Sequence, residues 1–195
     1  MAVSEASSPV RQPDRKERIL AAAADLVARR GYHAVSMTDI GSAAGITGPG
    51  IYRHFTGKPA VLVALFDRVI DRLHAEALEV VRMEESPNES LRMLVDGQVH
   101  FVVADRMLAQ VYYLEIQNLP EEDRRRLRRK QRLYLDEWVH LLGLLRNDLN
   151  DGEIYATAHA AIGAIQSTLF HSIGLPEDGL RSLLADAARS VLGTT

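Results

Sequence analysis

Apolar residues recur along this chain at spacings of three and four, the pattern of helices that bury one face. No stretch alternates convincingly enough for a strand. The first stripe, Ile19, Ala23 and Leu26/Val27, predicts a helix that opens at Asp14, which has capping-box spacing to Glu17, and ends at Gly31. Met37, Ile40 and Ala44 predict a second helix, capped by Ser36, with Asp39 at the positive end of its dipole. Gly45 stops it, because glycine reaches positive φ without a Cβ clash. A third helix follows, with Thr47 as N-cap, Pro49 in the first turn and Ile51 and Phe55 on its buried side. From Pro59 to Arg82 a long helix carries Leu62, Leu65/Phe66, Val69, Leu73 and Ala77.

The pattern breaks at Glu84–Glu89 and restarts with Ser86 as cap, Pro87 in the first position and Glu89 completing a capping box, for a fifth helix ending near Ala104. Asp105 is the expected cap of a sixth helix, with Leu108, Val111/Tyr112 and Glu115, which Asn118-Leu119-Pro120 stops. A seventh, acidic in its first turn at Glu121, Glu122 and Asp123, runs through Trp138 towards Arg146. After a turn over Asn147–Gly152, helix eight spans Glu153 to Ile173. Gly174-Leu175-Pro176 separates it from a last helix through Leu192. The fold class is all-α.

Ser36 to Lys58 thus reads as two short helices joined by a glycine turn, a helix-turn-helix. In such a motif the start of the second helix meets base edges in the major groove and flanking groups bind phosphates. Here the exposed positions carry Gly48, Gly50, Tyr52, Arg53 and His54. Helix pairs of this kind also occur in proteins that never touch DNA, so context decides. Charge is favourable context. Residues 1–58 hold eight Lys/Arg against five Asp/Glu, a net of +3, whereas the rest of the chain carries −6 of the overall −3. A mildly basic head on an acidic body suits a phosphate-binding module joined to a regulatory unit.

An amphipathic first helix ending Ala-Arg-Arg-Gly-Tyr, then Val-Ser-Met-Thr-Asp-Ile-Gly-Ser-Ala-Ala-Gly-Ile-Thr, then Gly-Ile-Tyr-Arg-His-Phe with Lys58 just after, resembles the TetR/AcrR family of bacterial transcriptional regulators over about residues 15–66. The resemblance implies a homodimeric, usually repressing regulator whose helical body binds a small effector that releases double-stranded operator DNA. It implies a DNA-binding head over 13–58 and an effector-binding and dimerisation body over 59–195, while the small and polar residues 1–12 read as a disordered arm and the lack of a signal or membrane segment as a cytoplasmic protein. Carried onto this chain, Ser36 and Thr38 occupy positions that contact phosphates or base edges. Thr47, Gly48, Pro49 and Gly50 form the base-facing start of the recognition helix, Tyr52 and His54 touch the backbone, and Lys58 reaches a phosphate. Two departures stand out. Gly48 replaces a long polar residue, so base readout leans on Thr47, Thr38, Arg53, contact of Pro49 with a thymine methyl, and DNA shape. Pro59 replaces the usual acidic residue and still fits a first helical turn.

In the body, Phe101, Met107, Tyr112, Tyr113, Trp138 and Phe170, with the polar His100, Gln110, His159, Gln166 and His171 among them, have the composition of a small-molecule pocket between helices. Each singly is as readily plain core. Together they suggest a mostly apolar effector, lipid-like or an acyl-CoA. The basic run Arg124 to Arg132 suits an anionic effector or a second nucleic-acid site, but the preferred reading is a solvated helix face with pairs Glu121–Arg125 and Glu122–Arg126. Ala156, Ala160, Gly163, Ala164 and Ser167 permit close helix approach, and Leu180, Leu183, Leu184, Ala187, Ala188 and Val191 extend an apolar stripe, so the last two helices are the expected dimer surface, with internal core as the alternative for some of them.

Composition narrows the rest. The chain has no cysteine, which excludes disulfides, thiolate catalysis and cysteine-based zinc sites. The N-terminal residues lack a signal-peptide core, and no run of about 18 charge-free apolar residues suggests a membrane span. The seven histidines show no metal-ligand spacing, no glycine-rich phosphate loop follows a strand, and Glu84-Glu85 lies in a loop without partners. Neither an enzyme nor a cofactor is expected. The alternative to a DNA-binding regulator is a ligand-sequestering helical protein.

Overall fold

The computed structural model describes residues 14–46 and 48–194. The expected arm over residues 1–12 and the expected cap and base-contacting residue Thr47 lie outside the described residues. Among those described the chain is all-helical, with nine α-helices: α1 (Arg15–Arg30), α2 (Met37–Ala43), α3 (Gly48–Ile51), α4 (Lys58–Arg82), α5 (Pro87–Val103), α6 (Arg106–Glu115), α7 (Glu121–Leu145), α8 (Asp151–Gln166) and α9 (Glu177–Leu192). One continuous apolar cluster runs from Ile19, Ile40, Ile51 and Phe55, through Phe66 and Val69 on α4, to Leu127, Trp138, Leu142 and Ile165 in the body. The long α4 is therefore shared: it packs on α1 and also on α5 and α7.

The head is built by local signals that agree with one another. Ser36 caps α2 in a full capping box: its hydroxyl accepts the Asp39 N–H at 3.1 Å, and the Asp39 carboxylate accepts the Ser36 N–H at 2.8 Å. These bonds from Ser36 hold the Asp39 carboxyl below its usual range. At the other end Gly45 has φ 66°. The N–H of Ile46 bonds to the Gly41 carbonyl at 2.8 Å and that of Gly45 to Ser42 at 3.1 Å, which is a Schellman closure. A methyl added at Gly41 would meet the Ile46 carbonyl at 3.2 Å, so this glycine lets the turn fold tightly against α2. Gly31 ends α1 at φ 76°, ψ 156°, a backbone region essentially reserved for glycine.

Other expected helix ends differ, some through competing local partners and some through partners distant in sequence. Asp14 makes no side-chain cap, and neither does Asp105, whose carboxylate instead accepts a bond from Arg72 of α4 at 2.5 Å. Ser86 caps α5, but the Glu89 carboxylate turns to Arg92 at 2.9 Å and leaves the expected box half made. Helix α8 starts two residues earlier than expected, because Asn150 and Glu153 form a capping box. It also ends at Gln166 rather than Ile173. Arg106 of α6 donates to the carbonyls of Thr168 and His171 at 2.6 and 2.8 Å, and Gln110 to that of Leu169 at 2.7 Å. Carbonyls served from outside the segment no longer need a helical ladder.

Candidate nucleic-acid interface and ligand cavity

The recognition helix is shorter than its sequence pattern predicts. Helix α3 covers one turn, and beyond it the N–H groups of Arg53 and His54 bond three residues back, to Gly50 at 3.3 Å and Ile51 at 3.0 Å, before Phe55 bonds to Ile51 at 3.1 Å. Gly48, Pro49 and Gly50 explain this: glycine resists helix by about 1 kcal/mol per residue, and proline donates no N–H. Ile51 and Phe55 are buried as expected and anchor the turn, which leaves Pro49, Tyr52 and Arg53 facing solvent and His54 half-buried. Tyr52 is 57% exposed, far more than a ring serving the core would be. Thr38 is exposed on α2, while the Ser36 hydroxyl is engaged by Asp39 in the cap.

Lys58 takes an internal place. Its ammonium donates to the carbonyls of Tyr32 and Val35 at 2.6 and 2.8 Å and lies 4.3 Å from the centroid of the Tyr32 ring. Two of its three protons are used, so in this structure Lys58 ties the start of α4 to the corner between α1 and α2 rather than standing free for a phosphate.

In the body, a cavity of about 370 Å³ opens between α4, α5, α6, α7 and α8. Ile70 and Leu73 of α4, Leu135 of α7 and Ile162 of α8 form its apolar wall. Gln98 of α5, Tyr112 and Tyr113 of α6, Gln131 and Tyr134 of α7, and Gln166 of α8 supply polar groups, while Arg128, Arg132, Tyr155 and His159 complete the lining. Of the residues expected from sequence, Tyr112, Tyr113, His159 and Gln166 meet here. The other seven do not, Gln110 and His171 among them. Phe101 and Trp138 are enclosed core side chains that do not line the cavity, and His100 lies on the surface, its Nδ1 3.3 Å from an Arg181 guanidinium nitrogen. Met107 is exposed, and Phe170 lines a separate open groove with Arg106 and Gln110. Periodicity marks the buried side of a helix but does not say whether that side meets a neighbour or a void.

Gln98, Arg128, Gln131 and Arg132 line the cavity without aromatic character to single them out, and Tyr134 and Tyr155 are aromatic lining residues outside the expected set. A polar residue inside an apolar stripe was the available signal: Gln98 interrupts Leu94/Val95 and Phe101/Val102 on α5 and is 1% exposed. The polar groups are linked. Gln131 donates to the Tyr112 hydroxyl at 2.8 Å, Gln166 to that of Tyr113 at 2.5 Å, and the Tyr134 hydroxyl to Gln98 Oε1 at 2.9 Å. Burial pushes the Tyr113 hydroxyl up to about 12, offset in part by the neighbouring Gln98 and Gln166 amides, and raises Tyr112 and Tyr134 as well. All three phenols are thus neutral at physiological pH. The cavity lining is apolar over the larger part of its surface, as expected, with phenols, amides and two arginines set into it.

The basic run is not simply a solvated face. Glu121–Arg125 forms at 2.8 Å as expected, whereas Glu122–Arg126 does not. Arg126 instead makes a two-pronged pair with Asp67 of α4 at 2.5 and 2.7 Å, and Lys130 bonds Asp67 and Asp71 at 2.7 and 2.8 Å. Arg128 and Arg132 turn the other way, to the cavity. One stretch of α7 therefore holds α4 with one side and lines the cavity with the other. A second link runs through α6, which carries Tyr112 and Tyr113 and whose Glu115 accepts the Tyr32 N–H of the head at 3.4 Å.

Partial burial raises the Asp67 pKa, but the Arg126 and Lys130 contacts outweigh it and hold the carboxyl below its ordinary value. A depressed native pKa means stability that is present above the unfolded value, near 3.9, and lost as pH falls through the native one. Asp67→Ala is expected to lower unfolding stability by about 1 kcal/mol, a modest value because the pair keeps contact with solvent. In denaturant titrations at neutral pH that deficit should be present, and it should close as the pH is taken below about 4. A deficit independent of pH would assign it to lost packing.

The expected dimer surface divides on inspection. Leu180, Leu184 and Ala188 are buried within the chain, where α9 packs on α5 and α8. Ala156, Ala160 and Gly163 of α8, Ser167 just past its end, and Leu183 and Val191 of α9 face solvent, and Ala164 and Ala187 are half-buried. No described helix is long and apolar enough to cross a membrane.

Comparison with known proteins agrees with this geometry. Residues 19–65 match the model of bacterial regulatory proteins of the tetR family, and residues 84–167 match a tetracyclin repressor-like C-terminal domain. The HTH-type transcriptional activator FasR of Mycolicibacterium smegmatis is 30% identical over 105 residues, 54% of this chain, and the match spans about half (47%) of that protein's length. The fatty acid metabolism regulator protein of Bacillus subtilis is 27% identical over 138 residues, 70% of this chain and 69% of its own. Among solved structures, AibR in complex with isovaleryl coenzyme A and operator DNA shares the fold, with a TM-score of 0.76 at 21% identity over 88% of this chain and 96% of its own.

Proposed function

This chain belongs to the tetR family of bacterial regulatory proteins, transcriptional regulators rather than enzymes, and from that premise we propose that it is a cytoplasmic, ligand-released repressor. It binds a palindromic operator as a homodimer through the exposed α8 and α9 residues, and a small acyl thioester is its effector. The observation that carries the effector reading is the sidedness of the cavity, which sets apolar Ile70, Leu73, Leu135 and Ile162 against two arginines, Arg128 and Arg132. An amphiphile with an acyl end and a phosphate-bearing end matches that lining. A volume of about 370 Å³ lies at the low end for small-molecule sites and favours a short or medium acyl group. The fatty acid metabolism that the Bacillus relative regulates and the coenzyme A thioester bound by AibR support the same class.

In this reading Thr38, Thr47, Gly48, Pro49, Gly50, Tyr52, Arg53 and His54 meet DNA, Ser36 orients α2, and Lys58 fixes α4 to the head. The thioester spreads α7 from α4 at the Asp67–Arg126 and Lys130 contacts. Movement of α4 then changes the separation of the two heads, which must lie about one helical turn, ~34 Å, apart to read both half-sites. The test is fluorescence polarisation on the promoter DNA beside the protein's own gene. Binding should weaken steeply with salt, and acyl-CoA thioesters should release the DNA while free coenzyme A does not. Absent or salt-insensitive binding would refute the repressor reading and leave a ligand-sequestering protein.

A further inference from the structure

One polar group in the cavity wall is left unserved by the fold. Gln98 sits in the apolar stripe of α5, 1% exposed, and its Oε1 accepts the Tyr134 hydroxyl at 2.9 Å. Its Nε2 is closed off from water and has no acceptor in hydrogen-bond geometry; the Tyr113 hydroxyl is near enough for the amide to lower its pKa but takes its hydrogen bond from Gln166. Buried donors in this state are rare in folded proteins, since each forfeits its hydration without return. The Tyr134 bond accounts for the amide oxygen but not for the nitrogen, and the amide lines the cavity that also carries Arg128 and Arg132. The polar groups around it, Tyr113, Tyr134 and Gln166, are neutral, and the cationic side chains of the lining stand on α7 and, when protonated, at His159 of α8. The inner surface therefore suits a neutral polar group rather than a carboxylate.

We infer that the effector carries a hydrogen-bonding oxygen, a ketone or hydroxyl, on the portion that enters the cavity, and that the Gln98 side-chain amide receives it. The inference rests on the reading of this cavity as the effector site and narrows the ligand within that class. The terminal torsion of a glutamine is broad and soft, so a small turn presents the nitrogen to the cavity without moving α5. A plain acyl chain leaves the amide as unserved in the complex as in the free protein. An oxygenated chain completes it in a water-free setting, where sites built to hydrogen-bond discriminate most strongly.

The experiment is calorimetric titration of the full chain with octanoyl-CoA and with oxo-octanoyl-CoA isomers bearing the ketone at successive positions. It uses the wild type, Gln98→Leu, and the double variant Gln98→Leu/Tyr134→Phe, which removes both hydrogen-bonding partners and so strands no hydroxyl. Operator binding reports that the variants fold. In the wild type one oxo isomer should bind at least about tenfold more tightly than octanoyl-CoA. In both variants that preference should fall to parity. Equal affinities across the series in the wild type, or a preference that survives Gln98→Leu, would overturn the inference. If no coenzyme A thioester binds, the thioester reading falls by itself, and the amide is judged by thermal shift with methyl hexyl ketone against octene. A ketone-selective shift lost in Gln98→Leu upholds the oxygen acceptor for another ligand class, and equal shifts overturn it.

Discussion

Tyr52→Ala should raise the operator dissociation constant roughly a hundredfold while leaving stability, dimerisation and cavity ligands unaffected. The ring is 57% exposed, so its removal costs the core nothing. The large effect comes from symmetry. Each head that loses its contact gives up about tenfold, and a dimer on a palindrome loses it twice. Because Gly48, Pro49 and Gly50 present no side-chain donor, the groups just past α3 carry an unusual share of the interaction. Arg53→Ala is the companion measurement. If its guanidinium holds a phosphate, the slope of log affinity against log salt should flatten by about 2 per dimer. Gel shifts across a salt series, with sedimentation to monitor the dimer, separate the two effects. Unchanged operator affinity in Tyr52→Ala would remove this residue from the interface.

Trp138→Ala should cost about 3–5 kcal/mol of stability, a fall in Tm of roughly 6–20 °C for a chain of this size. Trp138 is fully enclosed, meets Tyr134 edge-on at 6.2 Å between ring centroids, and does not line the cavity. Truncation would open a void in the centre of the α7 packing that neighbouring helices cannot collapse to fill. Its indole N–H has no acceptor, so Trp138→Phe keeps most of the volume, discards the unserved donor and should cost far less than the alanine variant. Thioester affinity should be the same in Trp138→Phe as in the wild type. A large loss of ligand affinity there would return Trp138 to the effector site, where its aromatic character first suggested it.

The two residues show what sequence can and cannot convey about a site. Tyr52 was legible because the helix-turn-helix is local: a cap at Ser36, a glycine turn at Gly45 and buried anchors at Ile51 and Phe55 fix which positions face outward within a few residues. The same local logic overestimated α3, since Gly48-Pro49-Gly50 supports only one turn. Trp138 and Tyr112 could not be told apart, because both fall on buried helix faces and only the packing of α4 to α8 puts a cavity beside one of them.

Sequence by itself determined the all-helical architecture, the position of the exposed turn at Tyr52 and Arg53 and most helix ends, because each depends on interactions spanning three or four residues. Tertiary structure decided the uses of groups with more than one partner in reach. Asp105 left its own helix for Arg72, Arg106 and Gln110 ended α8 from outside, and Arg126 and Lys130 became a clamp on Asp67 rather than a solvated face. It also decided that Gln98, an interruption in an apolar stripe, faces a cavity. The reason is physical: a buried charge or amide takes the partner that best offsets its lost hydration, and that partner is found in space, without regard to its distance along the chain.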